Sequence, residues 1–325
     1  MKILILTDGK AGHENQSRAF ARALGFEYDI LEVHFKFAAA KVQSYLFDHL
    51  GIRTLSLLTP ASAWPSPSTC DYAAVIGTGS GTFYAAKALA KRLGVKCGVV
   101  LYPRGYHLGS FDCVLAPTFD RPAARSNVIE IPANLVSADA EFYANGTEKF
   151  RDHYLQTTSR PLPDSGSLQA VAVIVGGPNK CSTMTADWMR KELERIFAAH
   201  RNLSNVEFWV TTSRRTPADV ESVIDSFPWN YRLIYSRDHF NPIPAFVSLA
   251  KTLYVTAEST GMLSESCTSG TAEVYALDNL LEGHHKFRRF MENLIQGGYL
   301  NGNRKIDLSA QFAQAQARLG VNGRQ

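Results

Sequence analysis

The chain has 325 residues, which is enough for two domains of average size. Apolar residues make up 45% of it and charged residues 20%, a balance typical of a globular protein, and no apolar run approaches transmembrane length. The formal net charge of +4 is small and the basic residues are dispersed, which argues against a nucleic-acid-binding protein.

Apolar runs alternate with helical patterns in the first half of the chain, as in a parallel sheet built of βα units. Strands are predicted at Lys2–Thr7, Tyr28–Val33, Tyr72–Ile76, Lys96–Leu101, Phe111–Leu115 and Val128–Ile131. Helices are predicted at Glu14–Leu24, Ala38–Leu50 and Phe83–Leu93. Because Ile3–Leu6 is interpreted as a buried strand and not as a signal peptide, we expect a cytoplasmic protein.

The segment Thr157–Ser167 has the proline-rich and serine-rich composition of an interdomain linker. Beyond it, strands are predicted at Gln169–Val175, Val206–Thr211, Arg232–Tyr235, Thr252–Val255 and Ala272–Leu277. Helices are predicted at Thr183–Ala199, Pro217–Ser226, Ile243–Ala250, Gly261–Ser269, His284–Ile295 and Leu308–Leu319.

The predicted fold class is α/β, with two Rossmann-like doubly wound domains facing each other across a ligand cleft. The first domain covers 1–160 and the second 168–300. The segment 301–325 carries a last helix that we expect to return to the first domain.

A glycine-rich loop follows the first predicted strand and ends at His13. Its glycines, Gly9 and Gly12, let the backbone approach a ligand closely. His13 at the start of a helix is a candidate general base, and the alternative is a helix-capping role. Asp8 is the other candidate base, unless it only holds the turn.

A second glycine-rich loop contains Gly77, Gly79 and Gly81 after the strand at Tyr72–Ile76. Its spacing departs from the dinucleotide fingerprint, and the strand that follows ends in Leu101-Tyr102-Pro103 without the acid that would hold a ribose. A role in NAD binding is therefore not predicted. The loop is interpreted either as a close-approach loop for a sugar or phosphate or as a tight turn.

In the second half, the loop with Gly176 and Gly177 and the turn Ser213-Arg214-Arg215 follow predicted strands. Paired arginines before a helix could clamp a diphosphate, and a solvated charged turn is the alternative. Phe240, in a loop before another helix, could flank a base ring or be packed in the interior.

The stretch from Glu258 to Gly270 is interpreted as a strand end, a turn of small residues and a short helix. A turn formed by Ser259, Thr260 and Gly261, with Met262 in the first helical turn, would present backbone N–H groups to an anion. Glu265 follows four residues after Gly261 and could accept hydrogen bonds from a ribose. The alternative is an ordinary βα crossover.

No metal site is predicted, because the chain has no Asp-x-Asp pair and no clustered histidine and cysteine ligands. Five scattered cysteines without a Cys-x-x-Cys pair also argue against a disulfide framework. Two helices, Ala38–Leu50 and the basic aromatic helix His284–Ile295, could touch a membrane, so peripheral contact with its inner face is an expectation. For both helices the alternative is packing within the protein.

Taken in order, these loops resemble the Elm-type family, named for a plant mitochondrial-fission factor and common in bacteria as glycosyltransferase-like proteins. The matching segments lie at 8–16, 76–81, 103–104, 111–117, 176–178, 212–217 and 256–265. That family is similar to two-domain GT-B transferases, including the N-acetylglucosaminyl transferase of peptidoglycan assembly. This chain departs from the common family pattern after Glu265, where Ser269–Val274 replaces a small-residue loop followed by Lys-Pro-Val.

The resemblance implies a metal-independent glycosyltransferase that needs no cofactor beyond a nucleotide-sugar donor, for which a UDP-linked sugar is a candidate, and that modifies a cell-envelope glycan or glycolipid. It places His13 or Asp8 at catalysis and Glu265 at the donor ribose. Donor contacts are expected from Gly176, Gly177, Ser213, Arg214, Arg215, Phe240, Glu258, Ser259, Thr260, Gly261, Met262 and Glu265. Acceptor-side loops are expected to contain Gly9, Gly12, Glu14, Asn15, Gly77, Gly79, Gly81 and Arg104. A nucleotide-sugar 2-epimerase, with Glu258 as an acid, and a non-catalytic scaffold are the alternatives.

Overall fold

The structure, a computed structural model, describes residues 1–164, 166, 168–283 and 285–320. The chain forms two compact units. The first contains Met1–Ser137 and the chain from Asp307 onward, and the second contains Ala138–Ile306. Each unit is an open, doubly wound α/β sheet, which confirms the predicted fold class at the level of two Rossmann-like units.

The first unit begins with seven strands and three helices. The strands are β1 (Lys2–Thr7), β2 (Tyr28–Phe35), β3 (Leu58–Pro60), β4 (Tyr72–Thr78), β5 (Lys96–Val100), β6 (Cys113–Pro117) and β7 (Val128–Ile131). The helices are α1 (Ala11–Ala23), α2 (Ala38–His49) and α3 (Phe83–Leu93). The strand order is β3-β2-β1-β4-β5-β6-β7, and only β3 pairs in the antiparallel direction.

The described residues of the second unit form five parallel strands and six α-helices. The strands are β8 (Gln169–Ile174), β9 (Val206–Thr211), β10 (Tyr231–Leu233), β11 (Thr252–Thr256) and β12 (Glu273–Leu277). The helices are α4 (Ala140–Thr158), α5 (Ala186–His200), α6 (Ala218–Asp225), α7 (Ile243–Leu249), α8 (Thr260–Thr268) and α9 (His285–Gln296). The strand order is β10-β9-β8-β11-β12, and neighbouring strands in this order pair in parallel.

The last helix, α10 (Ser309–Leu319), packs against the first sheet. Ala315 and Leu319 join the apolar layer formed by Ile3, Ile5 and Phe20, on the same face as α1. Helix α3 packs on the opposite face. Helices on both faces explain why the central strands are continuous apolar runs, a pattern visible in the sequence.

Helix α4 was not predicted, and it moves the unit boundary. The ring centroid of Phe150 lies 5.2 Å from that of Trp209 and 4.8 Å from that of Tyr231, and Phe150 also contacts Phe246. Because these rings belong to the second sheet and to α7, α4 is part of the second unit, whereas the expected first domain extended to residue 160. Only Phe150 and Tyr154 of its 19 residues are buried, so the helix lacks a strong apolar periodicity.

Several sequence predictions fall partly on positions that the structure does not describe. Ser165 and Ser167 of the predicted linker, the predicted helix start at His284, and residues 321–325 of the terminal segment lie outside the described residues.

Candidate active site

Both sheets contain a point where the strand order reverses. In the first sheet this switch point lies between β1 and β4, and in the second between β8 and β11. Chains leaving the carboxyl ends of two such strands cross to opposite faces of the sheet, which opens a crevice where open α/β sheets bind ligands. Four of the predicted loops follow these four strands.

The first switch point brings Asp8 and His13 together. The Nδ1 atom of His13 lies 3.0 Å from Oδ1 and 3.2 Å from Oδ2 of the Asp8 carboxylate. The Asp8 side chain is 8% exposed and the imidazole 24% exposed. The sequence indicates these residues as alternative bases, whereas the structure pairs them as one acid–histidine dyad.

The second glycine-rich loop packs directly against this dyad. A Cβ atom at Gly79 would lie 2.3 Å from Cε1 of His13, and Gly79 also has a positive φ of 82°. A Cβ atom at Gly81 would lie 2.7 Å from Oδ2 of Asp8. Both contacts are shorter than any real Cβ contact, so only glycine at these positions leaves room for the carboxylate and the imidazole.

The electrostatics of the dyad favour an ionised Asp8. Burial alone would raise its pKa, but hydrogen bonds from Lys10 and His13 outweigh burial and lower the pKa below its usual range. The Lys10 ammonium lies 2.9 Å from Oδ2. An ionised carboxylate accepts a hydrogen bond from Nδ1–H of His13, so Nε2 of the neutral ring is left as a proton acceptor.

The remaining acceptor-side predictions have mixed outcomes. Gly9 has a positive φ of 78°, and a Cβ there would lie 3.0 Å from the Glu32 carboxylate. A Cβ atom built at Gly77 would clash with Thr82, since it would lie 2.6 Å from Oγ1 of that residue. Gly12, in the first turn of α1, has open space around its Cα.

Three other residues of this group lie outside the dyad's contacts. Glu14 accepts a hydrogen bond from Arg18 at 2.7 Å, and Asn15 is exposed on α1. Arg104 is largely exposed, and its guanidinium donates to the backbone carbonyl of Asp120. The structure therefore pairs Glu14 and Arg104 with groups of the protein itself.

The second switch point is organised around Glu258. Its Oε1 accepts a hydrogen bond from the backbone N–H of Gly177 at 2.8 Å and one from the Thr256 hydroxyl at 3.1 Å. Its Oε2 accepts from the side-chain amide of Asn279 at 2.8 Å. The residue is only 4% exposed, so this carboxylate joins the loops after β8, β11 and β12.

The glycines of the β8 loop are required by these contacts. A Cβ at Gly176 would lie 1.9 Å from Oε1 of Glu258, and one at Gly177 would lie 2.4 Å from the backbone of Arg215. The Thr216 hydroxyl donates to the Gly176 carbonyl at 2.6 Å and accepts from the backbone N–H of Ser213 at 2.9 Å. The β8 loop and the turn after β9 are therefore held together tightly.

The arginines of that turn extend outward. Arg214 and Arg215 are both exposed, and neither forms an ion pair with a residue that the structure describes. The Ser213 hydroxyl accepts from the backbone N–H of Arg215 at 3.2 Å, which fixes the backbone of the turn. Two positively charged side chains are therefore presented from a rigid base.

The start of α8 offers backbone donors next to Glu258. Ser259 precedes the helix and makes no side-chain capping bond. The first amides of an α-helix have no acceptor within the helix, so Gly261 and Met262 direct N–H groups away from its start. Thr260 is the first residue of the helix, and a Cβ at Gly261 would meet nothing within 4 Å.

Glu265, further along α8, is engaged by a residue of α4. Its Oε1 accepts from the Tyr143 hydroxyl at 3.1 Å, and the same hydroxyl lies 3.0 Å from the Ser269 hydroxyl. Burial raises the pKa of Glu265, and the hydrogen bond from Tyr143 opposes this. The proposed ribose contact of Glu265 stays a prediction, and its Tyr143 partner belongs to the unpredicted helix α4.

Phe240 has one ring face covered. It stacks on His153 with ring centroids 4.1 Å apart and planes 8° apart. His153 in turn contacts Asp238 at 2.8 Å and the Tyr231 hydroxyl at 2.9 Å. His153 comes from α4, so stacking of a nucleotide base could use only the other face of Phe240.

Comparison with known proteins identifies the family. The family model described as mitochondrial fission ELM1 matches residues 11–314. The chain belongs to this family. An uncharacterized protein of Rickettsia prowazekii (strain Madrid E), RP120, is 24% identical over 328 residues, covering 91% of this chain and 88% of the relative.

Solved structures similar to this ELM1-family chain have low sequence identity. The UDP-GlcNAc 2-epimerase from Neisseria meningitidis bound to UDP-GlcNAc is 12% identical, with a TM-score of 0.49 and coverage of 98% of this chain and 97% of that one. MurG of Acinetobacter baumannii is 13% identical, with a TM-score of 0.45 and coverage of 98% and 91%.

Neither a metal-binding cluster nor a membrane-spanning helix occurs in the described part of this ELM1-family chain. Residues 1–164, 166, 168–283 and 285–320 contain no group of three or more histidine, cysteine, aspartate or glutamate side chains that could hold a metal ion. None of the helices described there is long and apolar enough to cross a membrane.

Proposed function

We propose that this chain is a metal-independent glycosyltransferase that uses a nucleotide-sugar donor. The observation that carries the proposal is the Asp8–His13 dyad at the switch point of the first unit, with Nδ1 of His13 3.0 Å from the carboxylate. A histidine oriented in this way is suited to removing a proton from a hydroxyl group near neutral pH.

In the proposed reaction, the first unit activates the acceptor. Nε2 of His13 takes the proton of an acceptor hydroxyl, and the oxygen forms a bond to the anomeric carbon of the sugar. The bond between that carbon and the diphosphate oxygen breaks, and its electron pair leaves with the nucleoside diphosphate. Asp8 stabilises the imidazolium that forms and stays ionised itself.

The second unit binds the donor in this proposal. Negative charge grows on the leaving diphosphate, and backbone N–H groups at the start of α8 together with Arg214 and Arg215 are suited to stabilise it. These groups are fixed before any ligand binds, because Glu258 and Thr216 hold the loops beneath them. Preorganised donors lose little energy to rearrangement during the reaction.

Transfer is favoured over epimerisation by the state of Glu258. A 2-epimerase would need an acid free to exchange a proton with the sugar, and Glu258 was the expected candidate. Both of its carboxylate oxygens are engaged within the protein, and it is almost fully buried. A non-catalytic scaffold would not need a glycine at 79 and at 81 to accommodate a dyad.

The test combines donor binding with turnover. A screen of nucleoside diphosphates by thermal unfolding should show a rise in melting temperature, since a ligand at about 100 times its Kd adds about 2.7 kcal/mol to the free energy of unfolding. Purified protein is then incubated with the matching nucleotide-sugar and with glycan or glycolipid acceptors. Release of free nucleoside diphosphate that depends on the acceptor and persists in EDTA is expected.

Three results would count against the proposal. Formation of a C2 epimer without sugar transfer would indicate the epimerase. Activity abolished by EDTA and restored by magnesium or manganese would contradict metal independence. Absence of any melting shift at millimolar nucleotide would contradict the donor site.

A further inference from the structure

Helix α2 packs Tyr45 and Phe47 against the core, yet it fully buries polar groups and leaves several aliphatic side chains exposed. The residues it buries are Ala40, Ser44 and Asp48, which recur every four positions on one face. The Ser44 hydroxyl lies 3.0 Å from the Tyr106 hydroxyl, and Asp48 forms an ion pair with Lys87 at 2.7 Å. Two of the three residues that this helix buries are therefore polar or charged.

The opposite face of α2 is apolar and exposed to solvent. Val42 is 70% exposed, Leu46 59% and Leu50 64%, and these positions also recur every four residues. Phe37 and Ile52, which flank the helix, are large apolar residues with exposed side chains as well. We call these five residues the α2 face. Large contiguous apolar surfaces on a folded protein mark a site of interaction.

The buried ion pair fixes this orientation. Asp48 contacts Lys87 at 2.7 Å and Arg53 at 3.1 Å, and the side chains of Asp48 and Lys87 are fully buried. Rotating α2 to bury its apolar side would separate these charges in the interior, which is costly for a buried charge that loses its partner. The α2 face is therefore held outward by the fold.

The charges around the α2 face favour an anionic partner. Lys36 is exposed beside Phe37, and Lys41 is half-buried with a neutral hydroxyl, that of Ser80, as its hydrogen-bond partner. Asp48, buried and paired with Lys87 and Arg53, is the single acid between residues 36 and 57. An apolar surface beside lysines, without exposed acids from its own segment, is the pattern of helices that lie in the interface of an acidic bilayer.

We propose that α2 docks this protein on the surface of an anionic lipid bilayer, with the α2 face in the interfacial layer. A helix of 12 residues is too short to span a bilayer, so it would lie in the plane of the membrane. The ammonium group of Lys41 lies 2.9 Å from the Ser80 hydroxyl, in the loop whose Gly79 and Gly81 pack on the dyad. Docking thus involves the helix that contacts the candidate active-site loop.

Vesicle sedimentation tests the docking without any nucleotide or acceptor, so its outcome is independent of the proposed reaction. The purified chain is mixed with vesicles of phosphatidylcholine alone or with phosphatidylglycerol added. We expect binding that increases with the anionic lipid. Leu46→Glu should reduce the partition coefficient by about tenfold or more, because a buried leucine becomes a charge in the interface.

Leu155→Glu on α4 is the matched control. Leu155 is 51% exposed, close to the 59% of Leu46, and also lies on a helix. The Leu155→Glu variant should bind vesicles as strongly as the unmodified chain does. Lys36→Gln should reduce the preference for anionic vesicles by about fivefold, since each lysine near such a surface contributes about 1 kcal/mol. The same change at the exposed Lys191 of α5 should leave the preference unchanged.

Equal melting temperatures for Leu46→Glu and Leu155→Glu confirm that both proteins are folded. Equal vesicle binding by these two variants, or no binding of the unmodified chain to either kind of vesicle, would overturn the proposal. It would also be overturned if the unmodified chain is a dimer by light scattering and Leu46→Glu makes it a monomer, because the α2 face would then bind a second copy.

Discussion

The two switch points each contain a carboxylate next to a glycine-rich loop, but the carboxylates do different things. Asp8 bonds to the imidazole of His13, whose other nitrogen remains available, and the imidazole is a quarter exposed. Glu258 accepts hydrogen bonds from N–H groups on two other loops and from the Thr256 hydroxyl, and it is almost fully buried. In the proposed function, the first carboxylate orients the catalytic base, whereas the second holds the loops that would bind the donor.

The same sheet architecture can therefore hold a carboxylate next to a glycine-rich loop in two different settings. In both units the glycines admit a carboxylate, since a Cβ at Gly81 would contact Asp8 and one at Gly176 would contact Glu258. The partner of the carboxylate then decides the outcome. A titratable partner suits proton transfer, and backbone amides suit the fixed positioning of an anion.

The largest expected effect tests the reactive side of the comparison. His13→Ala should lower turnover by about 10²–10⁴-fold, the usual contribution of a positioned base, while nucleotide affinity stays nearly unchanged. His49→Ala, an exposed histidine of α2 that contacts the Gly105 carbonyl, is the control and should retain full activity. Steady-state kinetics with saturating donor measure both variants.

Asp8→Asn refines this result. The asparagine side chain keeps the size of the carboxylate but cannot stabilise an imidazolium, so turnover should also fall. If Asp8→Asn removes activity while His13→Ala retains it, Asp8 is the base and His13 has a capping role. Full activity of both variants would mean that the reaction does not begin at this loop.

The framework role of Glu258 predicts a loss of stability. Glu258→Ala leaves the buried N–H groups of Gly177 and Asn279 without their acceptor, at a cost of about 1–3 kcal/mol for each. Glu258→Gln should recover most of this stability. The Oδ1 atom of Asn279 has no hydrogen-bond partner among the described residues, so a flipped Asn279 amide can accept from the new glutamine. Urea unfolding compares the variants, and equal stability of Glu258→Ala and the unmodified chain would contradict the framework role.

A pair of glycines in the second unit tests how rigid the frame is. Gly177→Ala places a Cβ 2.4 Å from the backbone of Arg215 and should lower the free energy of unfolding by about 1–3 kcal/mol. Gly261→Ala places a Cβ in open space within α8 and should raise the free energy of unfolding by about 0.5–1 kcal/mol. Thermal unfolding shows whether each variant is more or less stable than the unmodified chain. A loss of stability in Gly261→Ala would show that α8 starts differently.

The smallest expected effect concerns Glu265 and its dependence on pH. Burial raises the folded-state pKa of Glu265, so its contribution to stability is complete below the unfolded pKa and is lost as pH rises through the folded pKa. Glutamine does not titrate and can still accept the Tyr143 hydrogen bond. Glu265→Gln should therefore become more stable relative to the unmodified chain as pH rises from about 4 to 7, the range above the ordinary glutamate pKa.

Calorimetry of the same variant tests the predicted ribose contact. Loss of one hydrogen bond to a charged group should weaken nucleotide binding by about 1–3 kcal/mol. Unchanged affinity, with the predicted gain in stability, would identify Glu265 as a half-buried partner of Tyr143 alone.

The local sequence pattern was sufficient to predict most strands and helices of the fold. Strands β1, β7 and β9 and helix α3 have the bounds predicted for them, because compact runs rich in apolar residues mark the strands and Gly94 marks the end of the helix. Strand β3 and helix α4 were missed. The strand has three residues, and the helix buries only two of its side chains, so neither leaves a periodic signal.

The sequence by itself determined which loops carry glycine, acid and histidine, and that these loops follow strands. Only the tertiary structure decided which of these residues meet. Asp8 and His13 are close in the chain, but the loop of Gly79 and Gly81 that packs against them lies about 70 residues away and is brought there by the pairing of β1 with β4. The pairing of Glu265 with Tyr143 likewise depends on α4, which lies more than 100 residues earlier in the chain.

The sequence did not show which of the two helices expected to touch a membrane exposes an apolar face. Helix α9 buries Phe290, Met291 and Leu294 within its own unit, whereas α2 exposes its apolar side. Amphipathic periodicity predicts that a helix has an apolar face, but it does not predict what covers that face. For α2 the decision came from Lys87, on a different helix, whose buried charge requires Asp48 to face inward.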